Sequence, residues 1–369
     1  MRLLICAGMT GGGVYPAIAV LQALKDKTDE VLWVGSRSGM EETLLKQYDL
    51  SFEAVSAAGL HGVSLRSLPG NLDQLARGLR EARAIINRFK PQVLFLTGGY
   101  LGVPVAFAGR KIPSVVFIPD IEPGLALKAI LRFTENVAVS TNKSLEFLKN
   151  MKVKVTGYPI REELIRWDRT SGRKYFGIPE KEQVLLVFGG SKGALSINQA
   201  LFHSLGSLLN DMHVIHISGK DNWEDAQLVK DSLDTSLKEK YHAYPFLHEE
   251  MGAAFAAADL AVCRAGSSTL GELPYFGLPA ILVPYPYTWR YQRQNAEYLQ
   301  SNGSALTLED GDLKNQLENK VRSLMNNREQ LTVMRKAMKA LSIPDSAQQI
   351  ADMIIETGKA SVSKEESNG

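Results

Sequence analysis

Val184-Leu185-Leu186-Val187-Phe188 runs directly into Gly189-Gly190-Ser191-Lys192-Gly193-Ala194, and a helical spacing of Ile197, Leu201, Leu205 and Leu208 follows. A short apolar run bounded by glycine reads as a strand buried on both faces, and the 3.6-residue period after it as the helix that crosses to the next parallel strand. The chain opens in the same way, with Leu3 to Ala7, then Gly8-Met9-Thr10-Gly11-Gly12-Gly13-Val14-Tyr15-Pro16, then a helix expected from about Ala17. Outward from these two units, strands are expected at Val31–Val34, Val93–Leu96, Val115–Ile118 and Val137–Val139 in the first half. In the second half they are expected at Val214–Ile217, Leu260–Cys263 and Ala280–Val283. Strands alternating with helices predict an α/β protein with two parallel-sheet, Rossmann-like domains. Gly and Pro at Thr156-Gly157-Tyr158-Pro159 interrupt both periods and place the joint there, giving domains 1–157 and 158–344. A last helix over 345–360, opened by Asp345 and running through Ile350 and Ile354, precedes a polar tail, 361–369, expected to be disordered.

Composition narrows the function. With 45% hydrophobic and 22% charged residues, the 369-residue chain is ordinary globular protein, not a disordered, collagenous or coiled-coil one. Lys plus Arg number 42 against 40 Asp plus Glu, a net charge of +2 that argues against capture of nucleic acid by the whole surface. Cys6 and Cys263 are the two cysteines, both inside apolar runs, so neither a disulfide framework nor a four-ligand zinc site is expected and a reducing cytosol fits. No run approaches the ~20 apolar residues of a spanning helix, which leaves peripheral membrane contact as the expected kind.

The chemistry is expected in the loops, since open parallel sheets bind ligands at the carboxyl ends of their strands. Gly8 to Pro16 lets main-chain N–H groups approach an anion or a sugar hydroxyl without hindrance from Cβ; the same glycines equally serve a tight strand-to-helix turn. Thr10 breaks the G-x-G-x-x-G dinucleotide pattern, and Val34-Gly35-Ser36-Arg37 lacks the acid that would hold a ribose, which argues against a nicotinamide enzyme. Gly189 to Ala194 puts glycines, a hydroxyl and a cation at a helix N-terminus, a phosphate cradle without Walker A spacing. After Leu260–Cys263 comes Arg264-Ala265-Gly266-Ser267-Ser268-Thr269-Leu270-Gly271-Glu272, where Glu272, about two turns into a helix, suits the paired hydroxyls of a ribose or merely complements a helix dipole. The aromatic, amide-rich stretch from Val283 to Asn295 suits a sugar ring or packs as a loop.

Six segments in order, Gly8 to Pro16, Gly98-Gly99-Tyr100, Gly157-Tyr158-Pro159-Ile160-Arg161, Gly189 to Ala194, Arg264 to Glu272, and Gln292 with Asn295-Ala296, resemble the motifs of the MurG family, over Leu3 to about Ile355. The resemblance implies a GT-B fold, two Rossmann-like domains facing a cleft, with no metal or cofactor and a final helix crossing back to the first domain. It implies inverting transfer of N-acetylglucosamine from UDP-N-acetylglucosamine to lipid I, the undecaprenyl-pyrophosphoryl-MurNAc-pentapeptide of peptidoglycan synthesis, giving lipid II. Carried onto this chain, Arg161 and Ser191 meet the diphosphate, Glu272 takes the ribose, and the turn Ser267, Ser268, Thr269, Leu270 and Gly271 lies against the same donor. The main chain near Leu247 recognises uracil, Gln292 holds sugar hydroxyls, and Thr10, Gly11 and Gly12 meet the sugar and acceptor. Lys192 stands where the family usually has Gln.

The chain departs from the family on the acceptor side. Gly13 replaces the family's histidine, and Phe117-Ile118-Pro119-Asp120 replaces its His-Glu-Gln-Asn segment. None of the six histidines lies in a first-domain glycine loop, so Asp120 is the expected base or hydroxyl orienter, with Glu122 second. Two alternatives follow: a transferase with another lipid-linked acceptor, and a catalytically inert UDP-sugar-binding relative. A UDP-N-acetylglucosamine 2-epimerase would want acids and histidines that these loops lack, and RNA-binding motifs are absent. Helical stripes at Asn71–Lys90, with Arg77, Arg80, Arg83 and Arg88, and at Leu127–Phe133 are read as core with a solvated basic face or as a rest on anionic lipid. The family places such a protein on the inner face of the cell membrane.

Overall fold

A computed structural model describes residues 1–8, 11–25, 27–37, 41–45, 48, 50–57, 68–149, 151–190, 192–287 and 291–366. It divides into two compact units, Met1–Arg161 with Asp345–Gly369, and Glu162–Pro344.

The first unit holds a parallel sheet of β1 (Arg2–Cys6), β2 (Glu30–Gly35), β3 (Ser51–Ala54), β4 (Val93–Leu96), β5 (Ser114–Ile118), β6 (Asn136–Val139) and β7 (Lys152–Val155), in the order β3-β2-β1-β4-β5-β6-β7. The second holds β8 (Gln183–Phe188), β9 (Met212–Ile217), β10 (Tyr241–Tyr244), β11 (Leu260–Cys263), β12 (Ala280–Leu282) and β13 (Ala305–Thr307), in the order β10-β9-β8-β11-β12-β13. In both, the winding reverses beside the first strand, between β1 and β4 and between β8 and β11. Cys6 pairs with Leu96 and Cys263 with Phe188 at these places, so the loops that follow are the ones expected to hold ligands.

Four strands had no counterpart in the sequence reading: β3, β7, β10 and β13, which are the edges of the two sheets. Central strands such as β4 and β11 are buried at every position, whereas β7 alternates exposed and half-buried and β3 is exposed or half-buried throughout. An edge strand has one flank open to water, so it needs no unbroken apolar run.

Helix α1 (Gly11–Ala23) begins at Gly11 and not near Ala17, so the glycine cluster forms its first turn. Pro16 inside it has no N–H to reach the Gly12 carbonyl one turn back, and the Tyr158 hydroxyl donates to that carbonyl instead, at 3.4 Å. Tyr158, 3% exposed, also meets Phe117 edge-on at 5.9 Å. These contacts keep Tyr158 in the first unit, so the division falls after Arg161 and not after Gly157. The last helix, Ser346–Glu366, buries Ile350, Ala351 and Ile354 in one core with Leu3, Ile5, Phe95 and Phe117 of the same unit. It continues past residue 360 as far as Glu366, in place of the disordered tail expected from Ser361, because no Gly or Pro stops it there; 367–369 lie outside the described residues.

The helix Leu68–Phe89 turns Ala82, Ile85 and Ile86 to the core and exposes Arg77, Arg80, Arg83 and Arg88. Arg77 and Arg88 are there paired with Asp73 and Glu53. Among the described residues no helix is long and apolar enough to cross a membrane.

Candidate functional site

In the second unit the loop after β8 feeds the helix Leu195–Leu209, whose N-cap, Ala194, offers no side-chain cap. The helix's first N–H groups therefore lack the acceptor that Ser, Asp or Asn would supply, the arrangement that receives an anion. Gly190 (φ 98°) and Gly193 (φ 88°) occupy the left-handed region, and the Gly193 N–H donates to the Gly190 carbonyl at 2.9 Å. Lys192 is exposed between them; Ser191 lies outside the described residues.

A closed polar network underlies this loop. A Cβ on Gly193 would strike the Ser218 carbonyl, so that turn is its floor. Asn198 Nδ2 donates to the Ser218 carbonyl at 2.8 Å and to Asn222 Oδ1 at 3.1 Å. Its Oδ1 must then accept from His216 Nε2 at 3.0 Å, which leaves His216 Nδ1 to accept the Tyr241 hydroxyl at 2.7 Å. Burial holds His216 neutral, its pKa lowered to about 3.

After β11, Ser267–Leu270 forms a 3-10 turn, with Thr269 Oγ1 donating to the Gly266 carbonyl at 2.6 Å. Glu272 is then the first residue of the short helix Glu272–Phe276, and not two turns into one, since the Ser-Ser-Thr run closes a separate turn before Gly271. Ser267, Thr269, Leu270 and Gly271 are buried, whereas Ser268 and Glu272 are half-buried and reach the surface of the loop. Burial, and secondarily the charge of Glu272, pushes the Cys263 thiol up and keeps it inert.

Gln292 is the second residue of the helix Tyr291–Ser301, and its Oε1 accepts the Tyr285 N–H at 2.9 Å, so the amide NH2 keeps its donors for another partner. Asn295, fully buried, donates to the Ala265 carbonyl at 3.1 Å and ties this helix to the β11 loop. Leu247 follows β10 with its side chain buried, beside an edge-on Phe246–His248 pair at 4.8 Å.

Sequence reading missed the piece that joins these loops. Arg264 pairs with Asp310, donates to Ser196 Oγ at 2.8 Å and to the Val283 carbonyl at 3.3 Å, and lies 5.1 Å from the centre of the Tyr285 ring. One guanidinium thus spans the ends of β11 and β12 and the start of the Leu195–Leu209 helix. Asp310 stands 46 residues away in a polar stretch with no local signal.

In the first unit, Gly11, Gly12 and Gly13 form the first turn of α1; Thr10 lies outside the described residues. Arg161 is stacked on the Tyr15 ring at 4.3 Å, a contact between residues far apart in the chain and without a local signal. Asp120, half-buried, follows the end of β5. Glu122 is 2% exposed and bound to Lys128 at 3.0 Å, an anchor for the helix Leu125–Ile130. Thus Gly11, Gly12, Asp120 and Arg161 belong to the first unit, and Leu247, Ser267 to Glu272 and Gln292 to the second. Among the described residues no three His, Cys, Asp or Glu side chains are grouped to hold a metal.

Two doubly wound parallel sheets with glycine turns at their switch points define a GT-B fold, which matches that of the MurG crystal structure from Acinetobacter baumannii. That match covers 96% of this chain and 99% of the other, with a TM-score of 0.74 at 24% identity. Residues 3–139 match the glycosyltransferase family 28 N-terminal domain and residues 184–350 the glycosyltransferase family 28 C-terminal domain. The UDP-N-acetylglucosamine--N-acetylmuramyl-(pentapeptide) pyrophosphoryl-undecaprenol N-acetylglucosamine transferase of Roseiflexus sp. (strain RS-1) is 37% identical, over 96% of this chain and 94% of its own. The transferase of the same name from Desulforudis audaxviator is 36% identical, over 96% and 98%. The chain belongs to glycosyltransferase family 28 and, within it, to the MurG family.

Proposed function

We propose that this chain transfers N-acetylglucosamine from UDP-N-acetylglucosamine to lipid I to form lipid II, with inversion at the anomeric carbon. The observation that carries the reading is the set of loops in the second unit: an uncapped helix N-terminus after β8, a half-buried carboxylate at Glu272, and the amide of Gln292 set by the Tyr285 N–H, at one sheet's carboxyl ends. Their chemistry matches the diphosphate, the ribose and the sugar hydroxyls in turn. The N–H groups after Ala194, with Ser191, Lys192 and Arg161, stabilise the leaving diphosphate. Leu247 offers its main chain to uracil, Ser267 to Gly271 line the donor, and Thr10, Gly11 and Gly12 meet sugar and acceptor.

In the transfer, an acceptor hydroxyl oxygen bonds to the anomeric carbon as the bond from that carbon to the diphosphate oxygen breaks, and UDP departs. The hydroxyl proton goes to the Asp120 carboxylate. Asp120 is favoured over Glu122 because Asp120 is half-buried directly after β5, whereas Glu122 is 2% exposed and out of a substrate's reach. General-base assistance of this kind is worth about 10²- to 10⁴-fold, so Asp120→Asn is expected to lower kcat by at least a hundredfold while UDP affinity stays within about twofold. Turnover near the parent value would remove Asp120 from the mechanism.

The chain is also proposed to work on the inner, cytoplasmic face of the cell membrane. Leu125 is 47% and Phe107 36% exposed, Phe107 packs edge-on against Phe133 at 5.5 Å, and Arg110, Lys111, Lys128 and Arg132 are exposed around them. An apolar knob ringed by cations suits an anionic lipid surface. Flotation with anionic vesicles should be lost at high salt and with Leu125→Glu. Labelled UDP-N-acetylglucosamine, offered with lipid I and separately with a simple polyprenyl phosphate, tests the acceptor: label in lipid II supports the reading, label only in the second lipid names another acceptor, and UDP binding without product marks an inert relative.

A further inference from the structure

In the second unit, the floor beneath the Gly190–Ala194 loop is main chain. A Cβ on Gly193 would strike the Ser218 carbonyl, and one on Gly219 (φ 83°) would strike the Gly193 N. The loop and the Ser218–Gly219 turn therefore lie backbone on backbone, and neither glycine has a side chain to set their spacing. The turn is held from its two ends. The Ser218 N–H donates to the Tyr244 carbonyl at 3.0 Å, and the Ser218 carbonyl accepts from Asn198 Nδ2. Asn198 is the fourth residue of the Leu195–Leu209 helix, and its own N–H donates to the Ala194 carbonyl at 2.9 Å. One side chain thus ties the first turn of that helix, whose free N–H groups suit an anion, to the floor of the loop before it.

The Asn198 amide is fixed from behind. Its NH2 must face the Ser218 carbonyl, which only accepts, so its Oδ1 needs a donor on the other side, and His216 Nε2 supplies it. The His216 ring is in turn held by the Tyr241 hydroxyl at Nδ1. An imidazole suits this place because it carries a donor and an acceptor on separate corners of one rigid ring, and so spans from β10 to the helix. Asn198, His216, Ser218 and Tyr241 are all buried, so a lost bond here is not replaced by one to water. Being buried, His216 and Tyr241 touch no substrate; what they can fix is the shape of the loop above.

We propose that His216, held by Tyr241, is a positioning residue of the donor site: through Asn198 it keeps the Ser218 turn, and with it the glycine loop, in the form that binds the donor diphosphate. Main-chain donors stabilise a charge-dense group only when they are already aimed at it, and a shifted floor misdirects them. The uracil segment does not depend on this chain of bonds. β10, which leads to Leu247, is paired with β9 from Tyr241 against Val214 to Tyr244 against Ile217. The inference rests on the donor-site reading above and adds what holds that site in shape.

The test compares UDP with uridine, which lacks the diphosphate, by calorimetry on the full-length parent, His216→Leu, His216→Gln and Tyr241→Phe, well below their melting temperatures. His216→Leu should weaken UDP binding at least tenfold and Tyr241→Phe at least fivefold, with uridine affinity within twofold of the parent in both. His216→Gln still offers a donor and an acceptor, and should keep UDP affinity within about threefold. KM for UDP-N-acetylglucosamine should rise in step with the UDP losses, while KM for lipid I stays within twofold. UDP affinity within twofold of the parent in either His216→Leu or Tyr241→Phe overturns the proposal. So does an equal loss for UDP and uridine, which a merely structural role would produce, and so does a Gln variant as weak as the Leu variant. A parent chain that does not bind UDP fails the donor-site reading itself, and the inference falls with it.

Discussion

Glu272 shows how one residue type acquires a role from its place. At the head of its helix and half-buried, it can accept from two vicinal hydroxyls at once. Hydrogen bonds to a charged group contribute roughly 1.5–3 kcal/mol, so Glu272→Gln is expected to weaken UDP binding about 10- to 100-fold by calorimetry. The parent should lose a similar factor with a 2′-deoxyribose donor, and the variant little more. His216 makes a different prediction. Its folded pKa is about 3 against 6.5 when exposed, and that of His242 about 4, both because burial penalises the charged ring. The unfolded chain then binds more protons, so the stability these rings contribute is complete above about pH 6.5 and falls away as the pH drops towards their folded values. Melting temperature should decline between about pH 7 and pH 5, where carboxylates scarcely titrate, and His216→Leu should flatten that slope whatever it does to the absolute value.

At the scale of elements, the loop between β8 and its helix depends on backbone shape more than on side chains. Gly193 combines a left-handed φ of 88° with contact against the Ser218 carbonyl. Gly193→Ala adds left-handed strain of about 1–2 kcal/mol and displaces the Ser218 turn. UDP affinity should fall at least tenfold, with a lower melting temperature for the second unit. Sequence reading found this loop because five apolar residues ahead of a glycine cluster are a local signal. It missed β3, β7, β10 and β13 because an edge strand's identity is conferred by its single neighbour. It likewise misplaced the start of α1, where Pro16 looked like a boundary and is in fact accommodated by a hydroxyl from Tyr158, far along the chain.

For the molecule as a whole, the last helix closes the unit that the first strand opens. Ile350 and Ile354 are fully buried beside β1, β4 and β5 residues, and side chains of this size contribute about 1.5–3 kcal/mol each. Set against a domain stability of about 5–15 kcal/mol, truncation after Pro344 should unfold the first unit or make it sensitive to protease. The second unit, whose core includes none of those residues, should still melt cooperatively and still be shifted upward by UDP. Calorimetry with and without UDP separates the two transitions; joint loss of both would show that neither unit folds alone.

The sequence by itself determined the two parallel-sheet α/β halves, the glycine turns after their strands and the family, because each rests on residues adjacent in the chain. Only the tertiary structure decided that Arg264 and Asp310 clamp three loops, and that Tyr241 and His216 set the amide of Asn198 beneath a glycine turn. Those pairings join residues tens of positions apart, and burial and hydrogen-bond satisfaction exist only once the chain has closed around them.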